Sequence, residues 1–143
     1  MLLAYLALFG VSFAAATVLP LGSEAALVAL VLSERSLLAP VLIATLGNVL
    51  GSATTFWLGW RAGALATTHK PKLAARMARA STILQRWGTP VLLLAWFPVV
   101  GDMLVAVAGA LRLPPTRSLL WITLGKAGRY VALGWAALLA TSG

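Results

Sequence analysis

The chain has 143 residues, 61% of them hydrophobic and only 10% charged, with a mean hydropathy of +0.95. Soluble domains carry about 25% charged residues, so this surface must face lipid or other membrane helices, and the length leaves no room for a separate soluble enzyme domain. The net charge of +8 does not point to nucleic acid, because six of the eleven basic residues fall between Arg61 and Arg86, a clustering that in a membrane protein marks a cytoplasmic loop beside anionic headgroups.

The N-terminal stretch MLLAYLALFGVSFAAAT has an apolar core and small residues but lacks the basic start of a signal peptide, so it is expected to be retained. Residues 2–19 form an apolar arm that runs into a Pro/Gly break, LPLGSE, followed by a second arm at 25–32. The second arm has eight residues, whereas a membrane span needs about 20. The two arms therefore predict a re-entrant hairpin, although a full crossing by residues 2–19 stays open. Residues 40–60 follow, enough for a helix of about 31 Å and hence a true span. Gly47, Gly51, Thr55 and Gly59 recur every fourth residue along it and predict a packing seam.

Residues 68–88, THKPKLAARMARASTILQRWG, predict a helix from Pro71 onward. Lys72, Arg76, Arg79 and Arg86 form one stripe; Leu73, Met77, Ala80, Leu84 and Trp87 form another beside it. Such a helix can lie in the headgroup plane with its bases, and Arg61 before it, reaching lipid phosphates. The alternative is a solvated basic connector. A third apolar arm covers 89–97, the break is FPVVGD, and the returning arm at 103–111 is again too short to cross. The last span is expected at 118–140, with Gly128, Ala132, Ala136 and Ala140 as its small-residue seam.

The two halves agree at one offset. A shift of 78 residues carries Pro20 onto Pro98, Glu24 onto Asp102, and TLGN (45–48) onto TLGK (123–126). Duplication is the reading that accounts for all of these at once. The expected organisation is one all-α membrane domain: a first repeat at 1–61, an amphipathic cytoplasmic linker at 62–87 and a second repeat at 88–143. With the linker inside, both termini fall outside and the repeats are antiparallel, the architecture of secondary transporters.

Glu24, Asp102, Lys126 and Arg129 remain at hairpin breaks or within the last span. Each would cost about 2.5–3.5 kcal/mol at a helix centre, so they are expected to pair in one polar site. Two readings are open. The acids either cap half-helices through the attraction of helix N-termini for negative charge, or they exchange protons while Lys126 and Arg129 hold an anion such as a lipid phosphate. Gly22, Asn48, Gly101 and Tyr130, with the two prolines, would support that site. No cofactor is expected. Cysteine is absent and His69 stands alone, so no metal centre is expected either.

PLGSEAALVALVLSE, TLGNVLGSATTFWLGWR, WFPVVGDMLVAVAGALRLP and LGKAGRY resemble the YqaA branch of the DedA (VTT-domain) membrane protein superfamily over roughly residues 12–135. The resemblance implies opposed re-entrant hairpins in the bacterial inner membrane. It also implies kinship with proteins implicated in moving polyprenyl phosphate or phospholipid, and it places Glu24 at the family's acid after the first break. The wider superfamily carries arginines in the second hairpin, where this chain has Trp96, Phe97, Gly101 and Asp102; Lys126 and Arg129 are the bases left for that role. The expected function is a flippase or scramblase of an anionic lipid, coupled to protons or not, without enzymatic activity and compatible with an oligomer. A non-transporting scaffold is the alternative. An intramembrane aspartyl protease is remote, because Val99 replaces the first glycine of G-x-G-D and Glu24 is the only partner acid.

Overall fold

The computed structural model describes residues 1–17, 22–63 and 70–143; Pro20 in the first break and His69 lie outside them. The described residues form helices α1 (Leu2–Ala15), α2 (Ser23–Glu34), α3 (Leu38–Ala62), α4 (Pro71–Trp87), α5 (Val100–Ala110) and α6 (Pro115–Ser142), with a 3-10 arm, Thr89–Trp96, before α5. They contain no strand. Two compact units result, one of Met1–Gly51 with Lys126–Gly143, the other of Ser52–Gly125.

The first unit buries Leu8, Leu27, Val31, Val41, Ala44 and Tyr130. Gly47 and Gly51 bring the α3 backbone onto α1. A methyl group at Gly47 would come within 2.5 Å of the Phe9 carbonyl oxygen, and one at Gly51 would strike that of Phe13. The second unit buries Phe56, Leu84, Leu92, Leu104, Val105, Ala108 and Ile122. There Gly59 of α3 faces the Ala106 carbonyl of α5, and Gly109 of α5 faces that of Phe56, a reciprocal close approach between two helices. The small-residue seam expected on α3 is therefore present, divided between two partners.

The seam expected on α6 is not. Gly128, Ala132, Ala136 and Ala140 are exposed, and a methyl group on Gly128 would meet nothing. The buried stripe is Ser118, Ile122, Lys126, Tyr130 and Gly134, two residues out of step and so about 200° around the helix. Exposed large apolar side chains mark the outer faces: Leu42, Leu46 and Leu50 on α3, and Leu120, Leu124, Trp135 and Leu139 on α6. Among the described residues α3 alone is both long and apolar enough to cross a membrane. α6 has the length, at 28 residues, but Lys126 and Arg129 lower its hydropathy below that of a simple span.

α4 begins at Pro71 and ends before Gly88, whose φ of 72° suits a residue without a side chain. Its apolar stripe packs against α5 and the 3-10 arm, with Ala80 and Leu84 buried and Met77 beside them. The stripe thus covers protein, whereas Trp87 leaves it and is exposed under Arg86. Lys72, Arg76, Arg79 and Arg86 are all exposed, as is Arg61 in the last turn of α3.

The second break explains its own residues. The arm before it is 3-10, not α-helical, and at about 2 Å per residue it reaches further than an α-turn would. At Val99 the backbone turns through φ 65° and ψ −56°, with the Val100 N–H donating to the Pro98 carbonyl at 2.7 Å. This is a γ-turn of the rare, strained kind, on a β-branched residue. Gly101 then lies against the arm it has just left: a methyl group there would sit 2.5–2.7 Å from the backbone atoms of Ala95. Asp102 follows in the first turn of α5, but Val99 occupies the N-cap position and no side chain caps the helix. Glu24 stands likewise in the first turn of α2, behind Gly22. Neither acid is an N-cap; each feels the positive end of its helix from within the first turn.

Gly101→Ala should therefore cost about 1–3 kcal/mol, because the obstacle is backbone and cannot swing aside. Val99→Gly should instead stabilise by about 1 kcal/mol, strain relief outweighing the entropy of glycine. Unfolding midpoints in detergent micelles check both, and shifts of the same sign would contradict this account of the turn.

Candidate functional site

Four polar side chains join α2 and α6 in the first unit. Glu24 forms an ion pair with Arg129. One residue earlier on α2 and one later on α6, the Ser23 hydroxyl hydrogen-bonds that of Tyr130 at 2.9 Å, and both are buried. Ser23 and Glu24 open α2 and Arg129 and Tyr130 are consecutive on α6, so the two pairs form a double clamp. The glutamate is favoured there twice, by the guanidinium and by the N-terminal end of α2. Arg129 also lies over the Tyr130 ring, 5.6 Å from its centre. Arg129 is largely enclosed, at 15% side-chain exposure, while Glu24 at 36% keeps one edge open.

A second polar contact lies on the same unit. Lys126, 2% exposed, donates to the side-chain oxygen of Asn48, and the Asn48 amide donates to the Ser12 carbonyl at 2.9 Å. Asn48 thereby places its two ends on two helices, acceptor to α6 and donor to α1. Around it the hydroxyls of Ser12 and Thr45 are buried without a hydrogen-bond partner among the described residues. An unpaired buried hydroxyl costs about 1–3 kcal/mol, which marks this interior as one that water or a polar group can enter. Lys126 and Asn48 are 78 residues apart, the offset that relates the two halves of the sequence.

The residues singled out in the sequence thus divide. Gly22, Glu24, Asn48, Lys126, Arg129 and Tyr130 belong to the first unit; Pro98, Gly101, Asp102 and the bases Arg61, Lys72, Arg76, Arg79 and Arg86 belong to the second. Sequence reasoning missed Ser12, Ser23 and Thr45, because isolated hydroxyl residues are common in membrane helices and carry no spacing signal. It also missed the bond from the Tyr5 hydroxyl to Glu34, which ties α1 to the end of α2. No group of three or more His, Asp or Glu among the described residues could hold a metal ion. The arrangement gathers two cations, one open-edged carboxylate and buried hydroxyls.

Known proteins resemble this chain along most of its length. An uncharacterised protein of Haemophilus influenzae is 45% identical over 134 residues, covering 85% of this chain and 80% of its own. Inner membrane protein YqaA of Escherichia coli is 42% identical, covering 92% of this chain and 89% of its own, and its Shigella flexneri counterpart matches equally. No family model and no solved structure matches the chain. The chain belongs to the YqaA family of inner membrane proteins. Its polar clamp and buried lysine therefore sit in a protein of the inner membrane.

The clamp makes a measurable statement. Tyr130→Phe leaves the Ser23 hydroxyl buried and unpaired and should cost about 1–2 kcal/mol, whereas adding Ser23→Ala should cost little more. A cycle of Glu24→Gln and Arg129→Met should show a coupling of about 2 kcal/mol, between the values for exposed and buried pairs. Both are read as unfolding free energies in micelles; additive single-variant effects would mean that the contacts do not hold the helices together.

Proposed function

We propose that the protein moves an anionic lipid, a polyprenyl phosphate or a phospholipid, across the inner membrane, with Glu24 and a lipid phosphate exchanging on Arg129. The observation that carries this is the enclosed Arg129 paired with a more open Glu24, beside a buried Lys126. A guanidinium in a low-dielectric interior needs an anion at all times. Glu24 supplies it at rest. When Glu24 takes up a proton, its charge vanishes and the planar fork of Arg129 is open to a phosphate, with Lys126 adding a second positive charge. Loss of the proton restores the ion pair and expels the phosphate. Asp102, which occupies the equivalent place in the second repeat, would titrate in the other half of the cycle.

The inverted-repeat reading draws support from three observations. The 3-10 arm and α5 each extend about 16 Å, half of the roughly 30 Å hydrocarbon core, so two arms can enter and return but not cross. Positions related by the 78-residue offset are buried alike: Leu27 and Val105, Ala44 and Ile122, Gly47 and Gly125. The equivalent positions Asn48 and Lys126 also touch each other, as residues on a two-fold axis do.

Purified protein in liposomes, assayed for transbilayer movement of fluorescent phospholipid and of polyprenyl phosphate, tests the function. Arg129→Lys and Asp102→Asn are expected to insert normally and lose activity at least about tenfold, because Lys lacks the planar fork and Asn cannot titrate. Full activity of both well-inserted variants would leave the charges a structural role and favour the scaffold reading. Topology is checked separately in this cysteine-free chain. Single cysteines at Lys72 and Ser142 should label oppositely with an impermeant maleimide in cells whose inner membrane is intact, and equal labelling would exclude antiparallel repeats.

A further inference from the structure

The second unit holds a groove that the exchange on Arg129 does not use. It encloses about 520 Å³ between α4 and the second hairpin, within the roughly 300–1,000 Å³ range of small-molecule sites. Arg76 and Arg79 stand at its α4 side, and Ile83, Val91, Leu94, Val99, Val100 and Met103 provide apolar lining. The two arginines are three residues apart and so share a helix face. Both are exposed, and neither has an acidic partner among the described residues. The strained turn at Val99 sets Val99 and Val100 at the groove, both exposed, where a relaxed helical turn would have folded them back.

We infer that this groove binds one molecule of an anionic phospholipid, its phosphate on Arg76 and Arg79 and part of one acyl chain along the apolar lining. The chemistry selects this occupant. Two cations without acids call for an anion, and Arg presents paired donors that fit phosphate. An apolar lining next to them excludes a free inorganic anion as the natural ligand but suits an amphiphile whose charge and chain are adjacent. The protein resides in the inner membrane, and its cationic helix is one that anionic leaflets attract at about 1 kcal/mol per base. Because all the lining residues lie in the second unit, occupancy does not depend on whether Arg129 exchanges Glu24 for a transported lipid.

Native mass spectrometry of the full chain in neutral detergent tests this, with dioleoyl phosphatidylglycerol and dioleoyl phosphatidylcholine as probes. One phosphatidylglycerol per chain is expected to persist, bound more tightly than phosphatidylcholine. Arg76→Gln with Arg79→Gln should weaken it about thirty-fold. Lys72→Gln with Arg86→Gln removes the same charge outside the groove and should change affinity less than about twofold if contact rather than net charge decides. Val100→Trp, which fills the apolar part, should also weaken binding, and millimolar inorganic phosphate should not compete. Each variant is compared at unchanged helix content and elution volume. Equal affinity for the two lipids, equal loss in both double variants, no effect of Val100→Trp, or competition by phosphate would each overturn the groove as a lipid site. Retained binding with lost transport in Arg129→Lys would separate this site from the other.

Discussion

A positive charge held inside a membrane protein must be covered by an anion or a set of dipoles, and the first unit is arranged around two such charges on one helix. Arg129 takes Glu24 and Lys126 takes the oxygen of Asn48. These demands bring α2 and α3 to α6, and the Ser23–Tyr130 bond fixes the rotation of α2 about that contact. Hydrophobic burial cannot do this work alone, since lipid is as apolar as Leu27 or Val31 and leaves helices no strong preference for one another. The polar contacts decide which helix meets which, and apolar packing fills the space they leave.

Backbone proximity is the second means of association. In both units a glycine on a long helix lets the backbone of a shorter helix come closer than any side chain would allow. Gly47 does this toward α1, and Gly125 toward Leu93 of the 3-10 arm. These two glycines are 78 residues apart, and the two halves of the sequence each place a glycine at such a close approach. At the breaks they diverge. Gly101 admits the Ala95 backbone where Ser23, its counterpart, donates or accepts a bond with Tyr130.

The polar positions at the same 78-residue spacing also differ, asparagine at 48 and lysine at 126. Asn48 and Lys126 are 78 residues apart, and their contact needs the difference between them, an acceptor facing a donor. Two lysines would repel and two asparagines would leave the interior without its charge.

Much of this was legible in the chain itself. Membrane residence followed from composition, the start of α4 from Pro71, and the second break from Pro98 and Gly101, because each depends on residues near in sequence. The repeat offset even singled out Asn48 and Lys126, without revealing that they touch. Only the tertiary structure decided how far each helix is rotated about its axis. A stripe of small residues every fourth position looks the same whether it faces protein or lipid, and on α6 the buried stripe is Lys126, Tyr130 and Gly134, with Gly128 and Ala132 outside. A turn of about 200° separates the two, and sequence spacing fixes the interval between such residues but not the direction in which they point. That direction is set by Glu24, Ser23 and Asn48, which lie 78 to 107 residues from their partners along the chain and reach α6 only once it has folded.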